Sequence, residues 1–129
     1  MTMNEKKLMG IRIIVHRGTN QIGGCVTEYE CRGFHLFVDY GEQLPGYEHT
    51  EMEIEGLTKG DVSNSALLIT HYHGDHIGKV SELSSEIPVY MGKTGCEICQ
   101  EFELHMSHIP GEEGKRHRLM ADRVAEFKH

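Results

Sequence analysis

The sequence predicts an α/β protein, and three observations carry that expectation. The runs Ile11 to Val15, Phe34 to Asp39 and Ala66 to Ile69 are short, apolar and rich in β-branched or aromatic residues, as buried strands are. A longer segment from Thr94 spaces Ile98, Cys99, Phe102 and Met106 as one side of a helix. Strand and helix then alternate along the chain, the rhythm of a layered α/β architecture. A length of 129 residues fits one domain, 1–129.

Taken in order, Met1 to Gly10 is polar and lacks the apolar centre of a signal peptide, and no run approaches membrane-spanning length. A cytoplasmic protein with no membrane association is expected. Ile11 to Val15 reads as a core strand, and His16-Arg17 leads into the glycine-rich stretch Gly18 to Gly24. That stretch lacks the Lys of a phosphate-binding P-loop and reads as a tight connection. Cys25 to Cys31 and Phe34 to Asp39 alternate around Arg32-Gly33, a two-residue hairpin turn. His16 and His35 lie in or beside strands, where histidine packs more often than it ligates.

Gly41 to Ser65 is polar and acidic and reads as a loop with one short helical turn around Glu51 to Leu57. Ile87 to Met91 is a further strand, opened by Pro88. Thr94 with Glu97 makes a capping box for the helix that follows. Beyond Pro110-Gly111, the basic run Lys115 to Arg118 is a solvated surface, and the sparse Leu119, Val124 and Phe127 suggest a tail that frays or docks on another copy of the chain. Four cysteines at unmatched spacings read as reduced, mostly buried thiols.

The chemistry concentrates in Thr70-His71-Tyr72-His73-Gly74-Asp75-His76-Ile77-Gly78, directly after the apolar run that ends at Ile69. In α/β folds, sites collect just past the carboxyl ends of such strands. On extended chain His71 and His73 project to one side and can share an ion. Gly74 permits a turn, after which Asp75 and His76 enter from a short helix carried by Ile77, Val80 and Leu83 and can hold a second ion. Imidazoles with a carboxylate suit zinc, with iron or manganese possible. Two ions about 3.5 to 4 Å apart activate a water between them. Solvated loop histidines or a closed structural zinc site are the competing readings; the latter usually recruits Cys.

The string His71-x-His73-x-Asp75-His76 resembles the signature of the metallo-β-lactamase fold hydrolases, and the longer Thr70 to Gly78 stretch is similar to its form in ribonuclease J-like members. Phe37-Val38-Asp39-Tyr40-Gly41 and Gly18-Thr19-Asn20-Gln21-Ile22-Gly23-Gly24 agree with the strand and loop that precede it there. The resemblance implies an αββα sandwich with two sheet-bearing halves, of which 129 residues supply a truncated amino-terminal half, a mixed sheet with flanking helices. It implies a third His, a bridging Asp and a last His downstream; His105, His108, His117 and His129 lack the family context for those places. Asp39 either caps a turn or accepts the ring N–H of a metal-bound His, and the resemblance favours the second role.

The expected activity of the intact protein is that of a zinc-dependent hydrolase, with Asp75 binding metal and orienting, or taking a proton from, the attacking water. The resemblance tilts the substrate toward phosphodiesters of RNA or DNA. Thioesters, lactones and β-lactams are the alternative substrates, and a non-catalytic metal-binding or interaction module is the alternative class. This chain alone is expected to be inactive, because an ion with two protein ligands is weakly held. A net charge of -7 argues against a free-standing nucleic-acid binder but not against a nuclease, since metals themselves hold phosphates. Self-association through an exposed sheet edge is a further expectation.

Overall fold

A mixed sheet of six strands, in the spatial order β1-β2-β3-β4-β5-β6, organises the chain. The structure, a computed structural model, describes residues 5–8, 10–17, 24–41, 53–70 and 79–129. The strands are β1 (Glu5–Leu8), β2 (Ile11–Arg17), β3 (Val26–Cys31), β4 (Phe34–Val38), β5 (Ser65–Ile69) and β6 (Val89–Met91). A 3-10 turn at Val80–Glu82 and two helices, α1 (Lys93–Met106) and α2 (Glu112–Val124), complete the described elements.

The first four strands are a meander of antiparallel pairs, whereas β4 pairs with β5, and β5 with β6, in parallel. The hairpin between β3 and β4 turns at Arg32 and Gly33, whose φ values of 52° and 82° are those a two-residue turn of the type I′ class requires. Parallel neighbours need crossovers. Both crossovers leave from the carboxyl ends of β4 and β5, which is where the sequence puts its chemistry.

Residues paired across strands share a face, so the register gives both faces of the sheet. Ile14, Glu28, Phe37, Leu67 and Val89 form one row across the inner face. Over that face lie Ile54, Leu57, Val80, Leu83, Cys96, Cys99, Met120, Val124 and Phe127, all in the core cluster with Phe37 and Leu67. Burying a side chain such as Leu67 contributes roughly 1.5 to 3 kcal/mol, so this layer of helices and turns holds the sheet together. The result is an α/β half-layer, one sheet with helices on one side, consistent with a partial αββα sandwich.

Five local expectations change. β2 is longer than Ile11 to Val15 and only partly buried, because it lies toward the β1 side of the sheet, away from the helices. The capping box at Thr94 does not form: α1 starts two residues earlier, with Gly92 at its N-cap and no side-chain cap bond. Its buried side is Cys96 and Cys99, while Ile98 and Phe102 are exposed, so the helix is rotated from the expected stripe. The tail is not frayed, since α2 buries Met120, Ala121 and Val124 against its own chain. Around Glu51 to Leu57 the described part, from residue 53, is a tight turn with Leu57 N–H bonded to Ile54 C=O at 3.1 Å, and is not helical.

The final residues add a bridge along the open side of β6. Lys128 N–H donates to Val89 C=O at 2.8 Å, and Met91 N–H donates to Lys128 C=O at 2.9 Å. Among the described residues, no helix is long and apolar enough to cross a membrane.

Candidate metal centre

The segment bearing the four expected ligands is pinned at both ends by two consecutive residues. Asp39 follows β4 with φ 64°, a left-handed conformation that Asp tolerates better than most residues. Its own N–H donates to Leu68 C=O at 2.9 Å, which turns its carboxylate toward the end of β5. There Oδ1 accepts the Thr70 N–H at 2.8 Å and Oδ2 accepts the Thr70 hydroxyl at 2.7 Å. Thr70 immediately precedes His71. At the other end, Lys79 N–H donates to Tyr40 C=O at 3.1 Å. Thr70 and Lys79, the described residues on either side of 71–78, are therefore tied to adjacent positions at one strand end.

A second tie serves the same edge. Arg17, at the end of β2, donates through Nε to Gly24 C=O at 2.5 Å and through its NH2 group to Gly41 C=O at 3.0 Å. It thus joins the far end of the glycine-rich stretch to the residue two beyond Asp39. A β-bulge between Val15 and Arg17 makes this possible, because the irregular register lets His16 and Arg17 both reach inward groups.

His16 and His35 pack and hydrogen-bond around a buried carboxylate. Glu28 is 4% exposed; Oε1 faces His16 Nε2 at 2.8 Å and Oε2 faces His35 Nδ1 at 2.5 Å. Burial alone would raise the Glu28 pKa, yet the hydrogen bonds from both imidazoles and their charge bring it below its ordinary value. Phe37 lies 6.3 Å from each ring. This network holds β2 and the hairpin together beside the candidate centre.

His71, His73, Asp75 and His76 themselves lie outside the described residues, as does the glycine-rich stretch from Gly18 to Gly23. Among the described residues, no group of three or more His, Cys, Asp or Glu is placed to hold a metal. Asp39 is where the sequence puts it, and the partner described for it is Thr70. His117 is occupied elsewhere: Nδ1 meets Glu103 at 2.5 Å, and its ring takes an edge contact from Phe102. Cys96 and Cys99 are buried, and burial, then Glu103 and Cys96, push the Cys99 thiol up to about 12.

Sequence reasoning did not find Glu28, Thr70 or Tyr40. The register turns Val26 and Glu28 inward. The available signal for Glu28 was two histidines on the flanking strands. A cavity of about 320 Å³ also opens beside this edge, lined in part by Tyr40, Thr58, Lys59, Lys79 and Glu82.

No family model matches the sequence. The chain is 29% identical over 121 residues to a protein named Ribonuclease J from Mycobacterium tuberculosis, covering 84% of this chain and 22% of that protein. It is 31% identical over 83 residues to a UPF0173 metal-dependent hydrolase from Bacillus pumilus, covering 57% of this chain and 34% of that one. A Ribonuclease J from Mycolicibacterium smegmatis is 29% identical over 100 residues, covering 71% of this chain and 18% of its own length. The chain thus spans about a fifth to a third of the curated relatives it matches. A crystal structure of a protein of unknown function from Enterococcus faecalis V583 superposes with a TM-score of 0.66 at 20% identity, covering 83% of this chain and 31% of that one, a likeness of fold.

Proposed function

From a ribonuclease J-like relationship to the metallo-β-lactamase-like proteins, we propose that this chain is the amino-terminal half of a metal-dependent hydrolase domain and carries its principal metal-binding loop. The observation that supports this most is the double anchorage of residues 71–78, Thr70 on Asp39 and Lys79 on Tyr40. Three imidazoles and a carboxylate within six positions are a donor set that fits zinc, with iron or manganese also compatible. His71 and His73 would hold one ion, and Asp75 with His76 a second. Bound there, a divalent cation supplies Lewis acidity and a water acidified toward neutrality.

The chain's own residues do the positioning. Asp75 would help hold the cation and would orient the water or take its proton. Asp39 holds Thr70, and Arg17 ties Gly24 to Gly41. Fixing the residues that flank a metal-binding segment would lower the order that has to be imposed when the cation arrives.

The substrate we assign is a phosphodiester of RNA or DNA, on the strength of the Ribonuclease J relatives, and the compartment the cytoplasm. Thioesters and lactones are the competing substrates. The test is hydrolysis of single-stranded RNA, a generic phosphodiester and a thioester, before and after chelation, by this chain and by a longer form. The expected result is zinc-dependent phosphodiester cleavage by the longer form and little turnover by the 129 residues. Cleavage at ordinary enzyme rates that survives chelation would overturn the assignment.

A further inference from the structure

Two segments that pack on the inner face of the sheet, Leu57 to Val62 ahead of β5 and Lys79 to Glu86 ahead of β6, leave the cavity of about 320 Å³ between them, and Tyr40 joins its lining from the end of β4. Its volume lies at the lower end of the range of small-molecule sites, about 300 to 1,000 Å³. That is room for one small ligand.

The lining offers three kinds of surface. Tyr40 and Val62 are partly buried and pack on the core, and the core residues Leu57 and Leu83 also reach the cavity. An aromatic ring beside aliphatic side chains is a surface on which a nucleobase stacks. Lys59 and Lys79 bring two ammonium groups, point charges suited to phosphate. Glu82 and Glu86 bring carboxylates, which when ionised only accept hydrogen bonds and so suit sugar hydroxyls.

The lysines are open to exchange. Lys79 Nζ lies 3.6 Å from Glu82, and Lys59 Nζ lies 3.5 Å from Glu53. A charge-assisted hydrogen bond is shorter, about 2.7 to 2.9 Å, and exposed pairs of this kind contribute little. A phosphate monoester, with close to two negative charges at neutral pH, competes well for both ammonium groups. Simpler ligands use the lining less well: an apolar molecule would strip water from four charges without pairing them, and a bare phosphate would meet the two carboxylates unscreened by a sugar.

We propose that this cavity binds a ribonucleoside monophosphate, with the phosphate on Lys59 and Lys79, the ribose hydroxyls on Glu82 and Glu86, and the base against Tyr40 and Val62. A carboxylate on a ribose hydroxyl is the contact by which dinucleotide sites read the 2′-hydroxyl. The site stands apart from residues 71–78 and draws on none of their chemistry.

The test is a titration of the ¹⁵N-labelled 129-residue protein with adenosine 5′-monophosphate, followed by amide shifts in the presence of a chelator, so the outcome is independent of the hydrolase assignment. Saturation with a Kd on the order of 0.1 to 1 mM is expected, with shifts centred on Lys59, Gly60, Lys79 and Ser84. The 2′-deoxy analogue and ribose 5-phosphate should each bind about tenfold more weakly, and inorganic phosphate more weakly still. Lys59→Ala and Lys79→Ala should each weaken the nucleotide roughly five- to tenfold. The double variant Glu82→Gln, Glu86→Gln should bring the ribose and deoxyribose forms within about threefold of each other. Lys59, Glu82 and Glu86 are exposed, and the tie of Lys79 to Tyr40 runs through the backbone, so these variants keep the fold. Lys93→Ala, exposed at the start of α1, should bind as the wild type does. No saturation by about 10 mM, equal binding of the deoxy analogue or of ribose 5-phosphate, or an affinity indifferent to both Lys59→Ala and Lys79→Ala would each overturn the proposal.

Discussion

Replacing Asp39 tests whether the carboxyl end of β4 governs the loop that follows β5. In Asp39→Ala two hydrogen bonds to a carboxylate are lost, those from the Thr70 N–H at 2.8 Å and the Thr70 hydroxyl at 2.7 Å. Such bonds are each worth about 1.5 to 3 kcal/mol when buried. Asp39 is buried but Thr70 is exposed, so water compensates in part and roughly 2 to 3 kcal/mol for the pair is the better figure. Ala held at φ 64° adds about 1 kcal/mol of strain. The total, about 3 to 4 kcal/mol, lowers the melting temperature of a domain this size by roughly 10 to 15 °C. Asp39→Asn tolerates the same backbone and keeps one acceptor for the Thr70 N–H, so it should cost only about 1 kcal/mol. Urea titration with an unchanged m-value measures the stability, and zinc titration the loop. Both variants should bind zinc about 10- to 100-fold more weakly, as is typical when a group that orients metal ligands is removed. Wild-type melting and wild-type zinc affinity in Asp39→Ala would refute the reasoning.

Three further outcomes follow from particular contacts. Glu28 has a folded pKa below its ordinary value near 4.5, so its ionised form contributes stability above that pH, and the contribution is lost as pH falls through the lower folded value; Glu28→Gln should flatten this acid limb and cost about 1 to 2 kcal/mol at neutral pH by denaturant titration. Gly114→Ala should destabilise by about 2 kcal/mol in thermal melts even though Ala favours helices, because a Cβ there would collide with the Ile109 carbonyl oxygen. Cys96 and Cys99, buried and with thiols raised in pKa, should resist iodoacetamide at pH 8 until urea unfolds the chain, as mass spectrometry of the labelled peptides would show.

The fold class was legible because its strongest signals are local. β5 is a continuous apolar run, the β3-β4 hairpin announces itself at Arg32-Gly33, and α1 has a helical apolar period. What failed depended on packing between distant segments. The tail looked too sparse to fold, yet Met120 and Val124 of α2, with Phe127 just beyond it, bury in the core. The rotation of α1 is set by which of its sides meets that layer, and Cys96 and Cys99 are weaker hydrophobic signals than Ile98 and Phe102. Within the candidate centre, Asp39 was legible at the end of its strand, whereas its partner Thr70 lies 31 residues away in sequence and only the parallel pairing of β4 with β5 brings them together.

The most direct test of the account is the zinc retained by this chain at equilibrium with a fixed free zinc concentration, measured by mass spectrometry of the metal alongside a His73→Ala variant that matches it in circular dichroism. Retained zinc in the wild type and its loss in His73→Ala is the predicted result. Equal zinc in both proteins, or none in either under loading conditions, would contradict the claim that residues 71–78 form a metal-binding loop.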